Sequence, residues 1–340
     1  MLQSNPSVKF TRRFESIHIM RGLAAFSVML CHLAYLNEYF RARLPTFSSL
    51  FMFGGEGVWV FFIISGFAIP FSMREASYSF PAGAWSFFVR RMLRLQPPYV
   101  ISVFFAAAIA CVATVADLGE PFVLNIQNFV LQLVYLAPWL NEPWINGVSW
   151  TLAIEFQYYI LMLFVGSILL SRSKITDALV FVIVIVFSIA IEDRRMIFVY
   201  LPFFSLGFIA FAYYARWLTK FWFIMLVAIF SVITIFKFSL ITAAIAVISV
   251  VVILLPIRRP PQVFLFLGTI SYSLYLVHMP IGDRIVYLTT RLPNLIWLQL
   301  LGLMTAIVVS IGVAILFWRL AEKPSISLSK NLKIEKFWNL

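Results

Sequence analysis

Apolar runs close to the ~20 residues that a helix needs to cross hydrocarbon recur from one end of this chain to the other, and they set what it can fold into. A backbone in lipid finds no water to satisfy its amides, so each run is read as a helix whose hydrogen bonds close internally. Composition agrees: 62% of the residues are hydrophobic and 12% charged, against roughly half and a quarter in soluble domains. No long polar stretch offers a hydrated domain, and the first apolar run lacks the small-residue cleavage site of a signal peptide. The expected fold class is all-α, a polytopic integral membrane bundle.

Taking apolar runs between charged breaks places ten spans near 15–36, 50–73, 97–116, 148–170, 175–191, 196–215, 221–236, 238–257, 262–281 and 295–318. With the N-terminus cytoplasmic, eighteen of the 26 Lys and Arg residues fall in inside segments, among them Lys9, Arg12, Arg13, Arg172, Arg258, Arg259, Lys333 and Lys336. Seven fall outside: Arg41, Arg43, Arg194, Arg195, Lys237, Arg284 and Arg291. The positive-inside bias favours this orientation over its inverse. Both termini are then cytoplasmic and the expected location is the inner (plasma) membrane. Residues 1–14 form an N-terminal segment, 15–324 the membrane domain and 325–340 a basic tail. The formal charge of +12 reflects loops beside the cytoplasmic leaflet and argues for membrane lipids, not nucleic acid, as the partner of those residues.

The segment 128–150 is apolar but interrupted by Pro138 and Pro143. Counting it as a span would put most later basic residues outside, so a re-entrant or surface-lying helix on the outer face is expected. No internal repeat is visible. Cys31 and Cys111 lie in apolar runs, and with three scattered histidines they suggest neither a disulfide framework nor a metal site.

Arg21 and His32 stand eleven residues apart inside the first run. Eleven helical steps make about three turns and roughly 16 Å, with only about 20° of angular offset. Both side chains therefore share one face, Arg21 near the cytoplasmic side and His32 deeper. Polar groups at such depth usually line a cavity and carry function; a snorkelling arginine and a histidine bonded between helices is the plainer alternative. A coenzyme A ester matches the functional reading, with anionic phosphates at one end and a thioester at the other. Arginine can hold phosphate with a two-pronged fork. A histidine can serve as general base toward an acceptor hydroxyl.

Other segments add candidates. Arg90, Arg91 and Arg94 in FFVRRMLRLQPPY (87–99) form either a phosphate clamp beside Arg21 or a basic helix resting on lipid headgroups. Glu155 in SWTLAIEFQYY (149–159) needs an arginine or His32 as partner, or water, because an unpaired carboxylate in hydrocarbon is costly. Ser65 in GGEGVWVFFIISGFAIPF (54–71), Trp150, and Tyr272, Tyr275 and His278 in SYSLYLVHMP (271–280) are candidates for substrate contact. Against this stand helix packing for Ser65 and interfacial anchoring for the aromatic residues. His278 is expected near the outer water, Glu56 in the outer interface, and His18 at the inner interface.

These motifs, in this order and with EKP at 322–324, resemble the acyltransferase 3 family over residues 15–324. The resemblance implies a bundle of about ten helices that takes an acyl group, usually acetyl, from cytoplasmic acyl-coenzyme A, with no metal. The implied acceptor is a hydroxyl of a saccharide or lipid-linked glycan. It implies that His32 is catalytic, either as general base or as a transient acyl carrier, and that Arg21 supports coenzyme A binding or catalysis. The family commonly has an acidic residue three positions before the arginine, where this chain has His18, and Trp-Ser-Leu where this chain has Trp150-Thr151-Leu152. A transporter or flippase lined by Arg21, His32 and Glu155 is the competing class, for which inverted repeats would be the signature.

Overall fold

The computed structural model describes residues 15–118, 120–171, 173–257 and 260–331. The N-terminal segment 1–14, Arg172, Arg258, Arg259 and the end of the basic tail lie outside the described residues. All regular structure among the described residues is helical. The principal helices are α1 (Glu15–Leu30), α2 (Gly57–Glu75), α3 (Ala84–Val115), α4 (Ile126–Leu133), α5 (Ser149–Leu170) and α6 (Lys174–Ala190). They continue as α7 (Leu201–Tyr214), α8 (Lys220–Lys237), α9 (Leu240–Leu254), α10 (Gln262–Leu288), α11 (Ile296–Phe317) and α12 (Lys323–Asn331).

Among the described residues, eight helical segments are long and apolar enough to cross a bilayer, while Ala178–Ala190 and Leu240–Leu254 are shorter apolar helices. Large apolar side chains remain exposed on the outer faces, Phe236 and Val308 among them. Water penalises such faces and hydrocarbon does not. The segment at 128–150 contributes only the eight-residue α4, a short turn at Ala137–Leu140 and the start of α5. Asn125 stops α4 from extending backward by accepting the Asn128 amide at 3.1 Å, an N-cap.

One predicted break is built differently. The basic stretch 87–96 and the third apolar run form one 32-residue helix, α3, despite Pro97 and Pro98. Prolines inside a helix strip backbone donors, and membrane helices tolerate them where neighbours supply other bonds. Pro97 and Pro98 free the Leu93 and Arg94 carbonyls, and next to them the Tyr272 hydroxyl of α10 donates to the Leu95 carbonyl at 2.9 Å and ties α10 to this turn. The first helix departs from α geometry where it matters: Cys31–Leu36 is a π-helix that continues α1, and Trp318–Glu322 is a π-helix that continues α11.

Two contacts set the frame around the site. Gly22 of α1 faces the backbone of Leu267 and Gly268 so closely that a β-carbon there would lie 2.6 Å from the Gly268 nitrogen. Gly66 of α2 and Gly207 of α7 interlock in the same way, with the Phe204 and Ile63 carbonyls where β-carbons would stand. Small residues let membrane helices approach to backbone contact, where dispersion and packing hold them without a hydrophobic drive. The α2–α7 pair is sealed by ring stacks, Phe62 on Phe204 at 4.9 Å and Trp59 on Phe203 at 4.8 Å. The α1–α10 pair carries a second apolar cluster with α3 and α11, including Met29, Leu33, Leu274 and Leu303. Polar side chains gather between these two clusters.

Candidate functional site

The close approach of α1 and α10 brings together two histidines 246 residues apart in sequence. His278 Nε2 lies 3.1 Å from His32 Nδ1, with ring centroids 5.1 Å apart. His278 is completely buried, not beside outer water as its position in the ninth run suggested. The close seating of α10 on α1 covers it.

Carbonyl oxygens fix the protons in this pair, because a carbonyl can only accept. His278 Nδ1, 2.9 Å from the Leu274 oxygen, carries hydrogen and leaves a lone pair on Nε2. His32 Nδ1 sits 3.0 Å from the Val28 oxygen and faces that lone pair, so it too carries hydrogen. The free lone pair of His32 is thereby placed on Nε2. Tyr275 stands beside them, its ring 5.9 Å from that of His278 and its hydroxyl 2.8 Å from that of Thr151 on α5. The π-helical geometry of Cys31–Leu36 begins one residue before His32, and such single-turn insertions cluster at functional sites.

A second polar group lies toward the arginine-rich end. Glu155 Oε1 accepts from the Ser65 hydroxyl at 2.9 Å and the Tyr159 hydroxyl at 2.5 Å. Ser65 therefore bonds to Glu155 in addition to packing between helices. Glu322 Oε2 accepts the Ser273 hydroxyl at 2.6 Å and the Ser273 backbone amide at 3.1 Å. Arg21 has Glu322 and Glu155 as its favourable electrostatic neighbours and Arg94 as a repulsive one. These two carboxylates stand where the chain lacks an acidic residue at position 18. His18 instead bonds Thr269 at 3.2 Å. Arg91 donates to the Ser72 hydroxyl at 2.7 Å and lies over the Phe87 and Tyr159 rings at 5.7 and 5.8 Å.

The arginine cluster divides. Arg91 and Arg94 turn inward toward Arg21, Glu155 and Tyr159. Arg90 is exposed, bonds Ser86 at 3.3 Å, and its carbonyl accepts from Ser329 of α12. Sharing a helical face with Arg94 does not bring Arg90 to the group. Tyr272 ties α10 to α3 through Leu95, and Trp150 lies 6.2 Å from Trp59 in a set of rings at the opposite end of the bundle. Glu56 is half-buried and its Oε2 is enclosed without a hydrogen-bond partner, in place of the hydrated position expected for it. Glu322 was not singled out from the sequence; its signal was the EKP motif closing the last apolar run.

The arrangement defines a class: a helical membrane protein with an oriented imidazole between an arginine–carboxylate group and an aromatic end. A family model described as an acyltransferase domain matches residues 14–319, and the chain belongs to this acyltransferase 3 family. It is also similar to the acyltransferase MdmB of Streptomyces mycarofaciens, with 28% identity over 156 residues, 44% of this chain. The match spans 38% of that relative's length. No solved structure matches the chain.

Proposed function

We propose that this membrane acyltransferase is an O-acyltransferase of the inner membrane. It moves an acyl group, in the simplest case acetyl, from cytoplasmic acyl-coenzyme A to a hydroxyl of a saccharide or lipid-linked glycan. The observation that carries the reading is the seating of His32 Nδ1 against the Val28 carbonyl and His278 Nε2, which assigns hydrogen to Nδ1 and makes Nε2 the available base. In the step envisaged, Nε2 takes the hydroxyl proton as that oxygen bonds to the thioester carbonyl carbon. The tetrahedral intermediate then expels the thiolate, which receives the proton back from the imidazolium. His278 Nε2 accepts from the charged ring and stabilises it.

Arg21, Arg91 and Arg94 against Glu155 and Glu322 carry one formal positive charge in excess. This suits a donor with several phosphates, held by guanidinium forks. Arg90 is exposed and bonds Ser86 on its own helix.

His32→Ala, in membranes supplied with acetyl-coenzyme A, tests the reading. Acyl consumption and transfer should both be abolished while insertion is unchanged, and normal turnover in that variant would refute it. Mass comparison of surface glycans and lipids from cells with and without the protein identifies the acceptor by one missing acyl group.

A further inference from the structure

We infer that a cavity of about 510 Å³ at the end of the bundle opposite the arginine cluster is an anchoring subsite for the acceptor, and that it binds a sugar ring by stacking. The inference rests on the acyltransferase reading above for the word acceptor; the ligand class rests on the cavity itself. Its walls are Trp59, Tyr135, Trp139, Trp144, Trp150 and Tyr200, and its volume falls in the range of small-molecule sites.

Aromatic faces carry the negative lobe of a ring quadrupole. The C–H groups on the flat face of a pyranose are polarised positive by the neighbouring oxygens, so a sugar matches such walls while its hydroxyls point to the rim. A purely aliphatic ligand would need no polar rim, yet this one has Gln157, Arg194 and Arg195. Arg195 is committed: it grips Asp193 at 2.7 Å and lies 5.3 Å over the Trp139 ring. Gln157 is committed as well, donating to the Arg195 carbonyl at 2.8 Å and accepting the Ile197 amide at 2.9 Å. Together they tie the rim loop to α5 and hold Trp139 in place. Arg194 remains to donate to a hydroxyl or to a phosphate borne on the glycan.

The walls are preset, which lowers the ordering cost of binding. Trp59 lies flat on Phe203, with an interplanar angle of 8°, and is stacked on Tyr200 at 5.7 Å. Trp150 packs against Tyr200 at 5.8 Å. The cavity also adjoins the histidines. Trp150 is a wall residue, and the next residue, Thr151, bonds the Tyr275 hydroxyl beside His278. Thr151 and Tyr275 stand between the cavity and the His32–His278 pair, so a ring stacked on Trp150 anchors the acceptor while the hydroxyl that reacts belongs to another part of it.

The test is saturation-transfer NMR on the full chain in lipid nanodiscs, free of glycoside detergent, with a panel of methyl glycosides and, separately, coenzyme A. Ring C–H protons of at least one glycoside should saturate. Trp139→Ala and Trp144→Ala should weaken that binding at least tenfold, and Trp297→Ala, on the exposed start of α11, should leave it unchanged. Coenzyme A binding retained by the cavity variants shows that they fold. If no glycoside saturates, or if both cavity variants keep full affinity, the inference is overturned. Glycoside binding with no coenzyme A signal in the wild type would instead support the cavity and sink the donor reading.

Discussion

Replacing His278 by alanine probes the arrangement most directly, because it removes a group that touches His32 without touching the base atom. His278 Nε2 accepts the His32 Nδ1–H at 3.1 Å. In the resting pair this is a neutral hydrogen bond, worth about 1 kcal/mol net; once His32 takes a proton it becomes a bond to a charged group, worth roughly 1.5–3 kcal/mol. The upper end applies, since His278 is fully buried and no water can replace it. The barrier rises by the difference between the two states, about 2 kcal/mol at that upper end, which lowers kcat about 30-fold. The Val28 carbonyl still orients the His32 ring at 3.0 Å, so activity should fall without vanishing. The acyl-coenzyme A KM should stay within about twofold, because the arginine group lies elsewhere. His278→Gln, which restores an acceptor oxygen on a flexible stem, should recover part of the loss; a merely space-filling role would be rescued better by His278→Leu. The assay is thiol release from acetyl-coenzyme A by protein in nanodiscs. Wild-type kcat in His278→Ala, or rescue by Leu and not Gln, would refute the reasoning.

Arg91→Ala should raise the acyl-coenzyme A KM about tenfold or more, while Arg90→Ala, whose side chain faces outward, should change it less than twofold; titration of initial rates decides between them. Glu322→Gln removes a charge opposite Arg21 and weakens the acceptor of two bonds from Ser273. It should lower the thermal midpoint in detergent and reduce activity, and a variant indistinguishable from wild type on both counts would remove Glu322 from the group. Gly66→Ala and Gly207→Ala drive a β-carbon into a backbone carbonyl and should each cost about 1–3 kcal/mol or more. Gly312→Ala, with open space around it, should leave the unfolding midpoint unchanged.

The runs of apolar residues were readable because a bilayer imposes a length, and each of the ten predicted segments contains a helix. The phase expected between Arg21 and His32 assumed α geometry throughout, whereas His32 lies in the π-helical Cys31–Leu36. What followed from tertiary contacts was not readable. The pairing of His32 with His278 depends on α1 and α10 meeting at Gly22 and Gly268, and no local pattern announces that contact. The sequence groups Arg90, Arg91 and Arg94 on one stretch, but which of them turns inward is decided by α5 and α10 packing on α3. Both π-helical segments were invisible to any reading that assumes 3.6 residues per turn. Trp150 at the head of α5 fitted an interfacial belt and a ligand wall equally well until Trp59 and Tyr200 were seen against it.

The two π-helical segments deserve to be weighed together, because one holds His32 and the other ends on Glu322. An added residue in a turn shifts the side chains beyond it by about 100° around the axis. On α1 the segment begins at Cys31, so the side chains beyond it leave the α-helical register that starts at Glu15. On α11 it swings Glu322 inward, where it bonds Ser273 and lies in the field of Arg21 and Arg94. Deleting Leu320, a 78% exposed residue within the second segment, should restore α geometry and turn the carboxylate away. The deletion should therefore mimic Glu322→Gln in activity, and Leu320→Ala, which keeps the register, should not. Equal effects of deletion and substitution would show that the inserted turn has no part in placing the carboxylate.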